Sequence, residues 1–415
     1  MTAENPLARR HETCLSCGSP LELVLSFGPT PVADLVLTED QLTEDDLVFP
    51  MDLAFCPDCT LLQLMTIVSP EILYRGEYPY YTSQIPALVK HYSESAERVI
   101  EEQGLNENSR VVEIASNDGY MLRVFRDHGI EVCGIDPATG PAEIANADSI
   151  HTLCEFFTLD VVRKYVAEHG HADVVTSNNL MNLLSDLDDF GRAVDYLLKK
   201  DGVCVFEVPY SVTLVDECSF DMIFHQNICY FSMLALDAFF RRHGLYVNEA
   251  KRVPTFGGSL RLVIGRNEQA DTSVTELLAE ERAKGFGELD YYRRFAEKTE
   301  SIRKELRACI EALIAEGKRI VAYGAAGGMA TTLLSYLDLA QGQLEYAVDG
   351  NEHKHGLYTP GLRLKIHPPS KLLEDRPDYA LLLAWNYRKE VLEQNDAYRQ
   401  GGGKFIIPLP KPEIV

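Results

Sequence analysis

Val111-Val-Glu-Ile-Ala-Ser-Asn-Asp-Gly-Tyr120 decides the fold of this 415-residue chain. An apolar run that ends in small turn residues, ahead of a helical pattern, reads as a buried strand feeding a loop and a helix. Working outward, Glu131–Ile135, Ala172–Ser177 and Val203–Val208 repeat the short apolar run between amphipathic stretches. Strands alternating with helices in this way imply a parallel sheet. Leu260–Ile264 reads as a late strand, antiparallel at the sheet edge.

The loop itself narrows the ligand. It has one glycine, Gly119, where dinucleotide folds have three, which disfavours a nicotinamide cofactor. A small loop made of Ala115, Asn117 and Gly119 lets the backbone approach the amino-acid end of S-adenosylmethionine (SAM), while Glu113 and Asp118 are suited to its ammonium group. Asp136 closes the second strand, where a carboxylate can accept from both ribose hydroxyls. Asn178 sits at the C-terminal rim of the third, where open α/β sheets bind ligands. Upstream, Tyr78-Pro-Tyr-Tyr-Thr-Ser83 offers Tyr78 and Ser83 to the cofactor and Tyr81 to a substrate. Its tyrosines read equally as a cover over the methyl group or as core aromatics at strand spacing.

Cys14-Leu-Ser-Cys17-Gly18 and Cys56-Pro-Asp-Cys59 are two C-x-x-C pairs. Two such knuckles complete a tetrahedral shell of four thiolates around zinc, a closed and therefore structural site. Neither pair stands at a strand-to-helix junction, as a redox pair would. The long gap between them calls for an intervening hairpin.

Length exceeds what one core supports. The expected division is a zinc-binding module over 1–75, a Rossmann-like SAM-binding domain over 76–270, a solvated helical connector over 271–316 and a second Rossmann-like α/β domain over 317–415. Strands in the last are expected at Arg319–Tyr323, Leu344–Val348, Tyr379–Leu383 and Lys404–Ile407. The cleft between the two α/β units is the expected seat of a small-molecule substrate. A formal net charge of −24 argues against nucleic acid and anionic membranes as partners. The absence of a long apolar run or signal segment, with cysteines kept as thiols, points to a cytoplasmic protein, expected to be a monomer.

With these motifs in order, the chain resembles the zinc-containing C-methyltransferases of deoxysugar biosynthesis, which methylate C3 of TDP-linked keto sugars. The resemblance runs through both knuckles, Tyr78–Ser83, the SAM loop, Glu207-Val-Pro-Tyr210, Cys229-Tyr-Phe-Ser232, Gly257-Gly-Ser-Leu-Arg261, Tyr323-Gly-Ala325, Asp349-Gly-Asn351, Ala384-Trp-Asn386 and Phe405-Ile-Ile-Pro408. It implies SAM and zinc as cofactors and a nucleotide-linked sugar held between the last two domains. Tyr323, Lys354, Asn386, Tyr81 and Phe256 are the residues it places near substrate. The family's Tyr-His-Glu-His segment, whose last His is the expected base, reads here Phe224-His225-Gln226-Asn227. Asn182 stands where the family has another His, Phe256 replaces a His, and Gly328 and Ala330 replace a Lys and an Asn. Phe has no hydroxyl, Gln no charge, and Asn takes no proton near neutral pH. Methyl transfer to an acidic substrate is the first expectation, with His225 as the surviving candidate base. A SAM-binding cyclase or isomerase, and an inactive or engineered homologue, are the alternatives.

Overall fold

The computed structural model describes residues 7–74 and 80–415, without the side chains of Glu71 and Tyr74. Tyr78 therefore lies outside the described residues.

The central sheet has seven strands in the order Tyr246–Val253, Ser259–Gly265, Leu198–Pro209, Ala172–Asn178, Arg110–Ile114, Glu131–Ile135 and Thr152–Leu153. The last five are parallel, Ser259–Gly265 runs antiparallel to them, and Tyr246–Val253 pairs antiparallel with Ser259–Gly265. Val111, Val112 and Ile114 are all fully buried, because helices cover both faces of the sheet. From Arg110–Ile114 the chain builds outward to Thr152–Leu153, then returns to the other side at Ala172–Asn178. The strand order reverses between these two neighbours, and ligands bind at that crevice. The late strand Ser259–Gly265 is antiparallel but not at the edge. Tyr246–Val253 pairs outside it, with Lys251 and Arg252 exposed.

A second sheet, Ile366–His367, Ala347–Val348, Ile320–Tyr323, Tyr379–Leu382, Lys404–Ile407 and Glu413–Ile414, is parallel except for its last strand. Its order reverses between Ile320–Tyr323 and Tyr379–Leu382. The loops beginning at Gly324 and Leu383 thus form a second switch point.

Near the N-terminus a hairpin of Glu22–Pro31 and Val48–Phe55, followed by Leu62–Leu64, forms an antiparallel sheet between the two cysteine knuckles. Its fourth strand comes from far away in the chain: Cys229–Tyr230 pairs with Leu62–Leu64.

The charged stretch after residue 271 is two helices, Thr272–Lys284 and Leu289–Ala315. It is more than a solvated connector. Tyr292, Phe295, Thr299, Ile302, Leu306, Ile310 and Leu313 form one buried stripe at helical spacing. Glu281, fully buried, accepts from Tyr210 Oη at 2.8 Å and from the backbone N–H groups of Met233 at 2.6 Å and Leu234 at 2.8 Å. It thereby caps helix Met233–Arg242 from a neighbouring helix. Glu281→Ala would strand three donors and should cost about 3 kcal/mol, seen as a lower urea midpoint of the first unfolding transition.

Candidate active site and zinc centre

The zinc centre forms where the hairpin brings the knuckles together. Cys14 Sγ and Cys59 Sγ lie 3.5 Å apart, Cys17 Sγ and Cys56 Sγ 3.4 Å, and all four sulfurs fall within 4.8 Å of one another. Tetrahedral zinc–thiolate bonds of about 2.3 Å put sulfurs about 3.8 Å apart, so the set fits the metal. Each knuckle closes with a backbone bond, Gly18 N–H to Cys14 O and Thr60 N–H to Cys56 O, both 2.9 Å. The buried side chain of Gln63 accepts from Leu15 N–H at 2.8 Å, tying the first knuckle to the sheet.

At the first switch point the loop after Arg110–Ile114 turns sharply: Ala115, Asn117 and Gly119 all have positive φ, 57°, 49° and 75°. Left-handed conformation costs a non-glycine residue roughly 1–2 kcal/mol, and such strain gathers at functional sites. Gly134, on the next strand, admits the loop: a Cβ there would lie 2.3 Å from Ser116 Oγ. Asp136 accepts from Asn117 N–H and Ala138 N–H, each at 2.8 Å. Asn117 reaches back to the segment before the first long helix, accepting from Thr82 N–H at 2.8 Å and donating to Tyr80 O at 3.0 Å. Asp118 takes Ser83 N–H at 3.2 Å. Tyr81 Oη lies against Gly140, so it borders the turn after Asp136.

Glu113 is fully buried and accepts from Asn178 Nδ2 at 3.3 Å, which also lies 3.2 Å from Tyr120 Oη. Burial drives its carboxyl well above the usual range, with Asp136 and Asp118 adding repulsion. Burial likewise raises Asp136. Glu113 Oε2, Asp118 Oδ1 and Ser116 Oγ have no close hydrogen-bond partner among the described residues. Buried carboxylates around orphaned acceptors lack a cation. SAM carries two positive groups, the sulfonium and the ammonium, and fits this donor-poor, acceptor-rich crevice.

Beside it, at the end of Leu198–Pro209, lies a network that sequence reasoning did not assign. Buried Glu207 accepts from Thr255 Oγ1 at 2.5 Å, His91 Nε2 at 2.8 Å and Arg261 Nη2 at 3.0 Å. Burial alone would raise its carboxyl, but these donors and the Arg261 charge hold it below the usual range. A lone acid inside the apolar run Val203–Val208 was the available signal, since a buried charge needs partners. Phe256, next to Thr255, is half-buried with φ 51°.

The segment 224–227 lies where all parts of the chain meet. His225 is buried, its ring edge-on to Phe49 at 6.1 Å, and burial lowers its pKa to about 4. That keeps it neutral at pH 7 and packed against the zinc module. Gln226 Nε2 donates to Ala33 O at 3.1 Å. Asn182 Nδ2 donates to Asn227 Oδ1 at 2.8 Å, and Asn227 Nδ2 to Met222 O at 3.2 Å. The Phe224 ring lies on Gly328, the first residue of helix Gly328–Leu337.

In the C-terminal unit Lys354 Nζ donates to Ala325 O at 3.1 Å beside Asp349, whose carboxylate takes Ala325 N–H at 2.8 Å. Asn386 is exposed at the opposite loop. The Tyr323 side chain points away from this loop into the core, its ring on Phe405 and its hydroxyl taking Asn395 Nδ2 at 3.1 Å. The structure therefore brings Lys354 to the loop and leaves Tyr323 behind it. Tyr80 lies near both Asp118 and Tyr387, so the cofactor loop and the C-terminal unit face one another.

Two measurements check these sites. Cys59→Ala should abolish the single zinc per chain found by elemental analysis and lower the melting temperature, because a three-thiolate site is open. Because burial raises the Glu113 carboxyl, a SAM cation seated beside it is expected to drive off a proton. Affinity should then rise with pH, by at most about tenfold per unit for one proton, and calorimetric heats should vary with buffer. Glu113→Gln should remove that buffer dependence.

Three family models cover most of the chain: a zinc binding domain over 14–74, a methyltransferase domain over 88–250 and a C-methyltransferase C-terminal domain over 254–410. The C-methyltransferase NovU of Streptomyces niveus is 34% identical over 414 residues, 99% of this chain and 98% of NovU. Solved structures similar to this chain include a S-adenosylmethionine-dependent methyltransferase from Clostridium acetobutylicum ATCC 824, at 12% identity over 43% of this chain and 91% of that one, TM-score 0.34. The CcbJ methyltransferase from Streptomyces caelestis is 13% identical over 41% of this chain and 89% of its own, TM-score 0.32. Among the described residues no helix is long and apolar enough to cross a membrane. With its clustered thiolates, its acceptor-lined cofactor crevice and a relative matched from end to end, the chain belongs to the zinc-containing, SAM-dependent C-methyltransferases.

Proposed function

We propose that this methyltransferase alkylates a carbon of a nucleotide-linked sugar, or of a similarly sized natural-product intermediate, that arrives already acidic at that carbon. The observation that supports this is the amide pair Asn182–Asn227. Two neutral side chains hold one another where the family resemblance expects histidines, and neither takes a proton near neutral pH. His225 does not substitute for them, because it is buried against Phe49 and burial lowers its pKa to about 4, which leaves it a weak base. A 1,3-dicarbonyl or phenol-like substrate loses its proton without a strong protein base.

When bound, SAM supplies an electrophilic methyl group. The protein's own residues do the rest. Glu113, Asp118 and Asp136 orient the donor, Asn178 fixes Glu113, and segment 80–83 covers the loop. Asn182 Oδ1, buried and without a partner among the described residues, is available to a substrate hydroxyl or amine. Lys354, Asn386 and the N-terminal turn of Gly328–Leu337 suit an anionic diphosphate, since free helix N–H groups favour anions.

Purified protein is given methyl-labelled SAM with a TDP-linked 4-keto sugar or with a 1,3-dicarbonyl analogue. Label should enter the more acidic substrate much faster. Asn227→His should then speed transfer to the ordinary ketone by about 10²- to 10⁴-fold. Equal wild-type rates on both substrates, with a two-limbed pH profile near neutrality, would overturn the reading, as would an isomerised product without label.

A further inference from the structure

Just ahead of Asn227, three residues out of four touch the C-terminal unit. Trp385 Nε1 donates to Asp221 Oδ2 at 2.6 Å, Thr332 Oγ1 donates to Ile223 O at 2.7 Å, and the Phe224 ring rests on Gly328. Trp385 belongs to the loop at the second switch point, directly after Tyr379–Leu382. Asp221 is fully buried, and its Oδ1 has no partner among the described residues. No cation among the described residues pairs with it, and the titratable group beside it is the buried thiol of Cys218. A carboxyl placed this way is a poor source of stability compared with an apolar side chain of similar size, so stability alone does not account for it.

We propose that Asp221 and Trp385 form a latch between the SAM-binding and C-terminal units, with Asp221 as a positioning residue that fixes how segment 224–227 faces the substrate. This rests on the reading of the cleft given above, but the latch can be seen without any substrate. Burial raises the Asp221 carboxyl to about 7. Above that pH the carboxylate accepts the indole N–H as a charge-assisted bond, and below it the bond is an ordinary one. Asn227 Nδ2 bonds to Met222 O, the carbonyl following Asp221, so a shift of Asp221 moves Asn227 directly.

Trp385 is the only tryptophan in the chain, so its emission reports the latch alone. In the zinc-replete, ligand-free protein the emission should titrate with a midpoint near pH 7, and in Asp221→Asn it should be flat across the neutral range. Hydrogen exchange gives the positional readout. Asp221→Ala should speed exchange of the Asn227 and Ile228 amides at least about tenfold while leaving Arg110–Ile114 unchanged. Asp221→Asn, which can still accept from the indole, should restore the protection. Trp385→Phe should reproduce the exchange change if Asp221→Ala does not fold. Wild-type emission without a neutral midpoint, or exchange at 227–228 unaltered in both variants, would overturn the proposal. Absence of methylated product with every tested substrate would sink the proposed function and leave the latch standing.

Discussion

The pairing of Cys229–Tyr230 with Leu62–Leu64 is the constraint on which the rest depends. It takes a strand from the middle of the chain and adds it to a sheet whose corners are set by zinc. Gln63 connects the two: its backbone pairs with Cys229 while its side chain holds Leu15 in the first knuckle. Leu64 N–H donates to Ile228 O at 2.8 Å, and Ile228 N–H to Asn182 O at 2.7 Å. The four-thiolate site thus helps fix the track into which residues 225–230 are laid. Small modules of this kind have too little core to keep such a shape unaided.

On the cofactor side the design is electrostatic. Three carboxylates converge on one crevice, and the loop between them is wound through alternating left-handed residues. Neither feature favours the empty protein. Both would become favourable when a ligand bearing a sulfonium and an ammonium group fills the space, because it relieves repulsion and satisfies acceptors together. Folding energy from the two parallel sheets and the buried stripe of Leu289–Ala315 is what allows the crevice to stay open.

Much of this was legible in sequence because it is local. Apolar runs gave the parallel strands, with Glu131–Ile135 and Lys404–Ile407 at the bounds read from sequence. The knuckle spacing and the acidic loop after Ile114 carried the zinc and SAM readings. Tyr246–Val253 was missed because its charged residues mask the alternation of an edge strand. The heptad-like apolar spacing in Leu289–Ala315 was visible, but the charge around it hid that one face is core. Partnerships across the chain were not legible at all: Asp221 and Trp385 stand 164 positions apart, and Glu207 draws on residues 91, 255 and 261. His225 and Tyr323 looked exposed to chemistry only because sequence does not reveal which way a side chain turns.

The contact of Phe224 with Gly328 carries a consequence for substitution. A Cβ on residue 328 would sit 2.6 Å from the ring, so any side chain there forces the aromatic segment to move. A hydroxyl on the same ring, or a different group at 226 or 227, makes no such demand on residue 328. Residues 224 and 328 are therefore coupled by packing in this chain, whereas changes at 226 and 227 leave that contact alone.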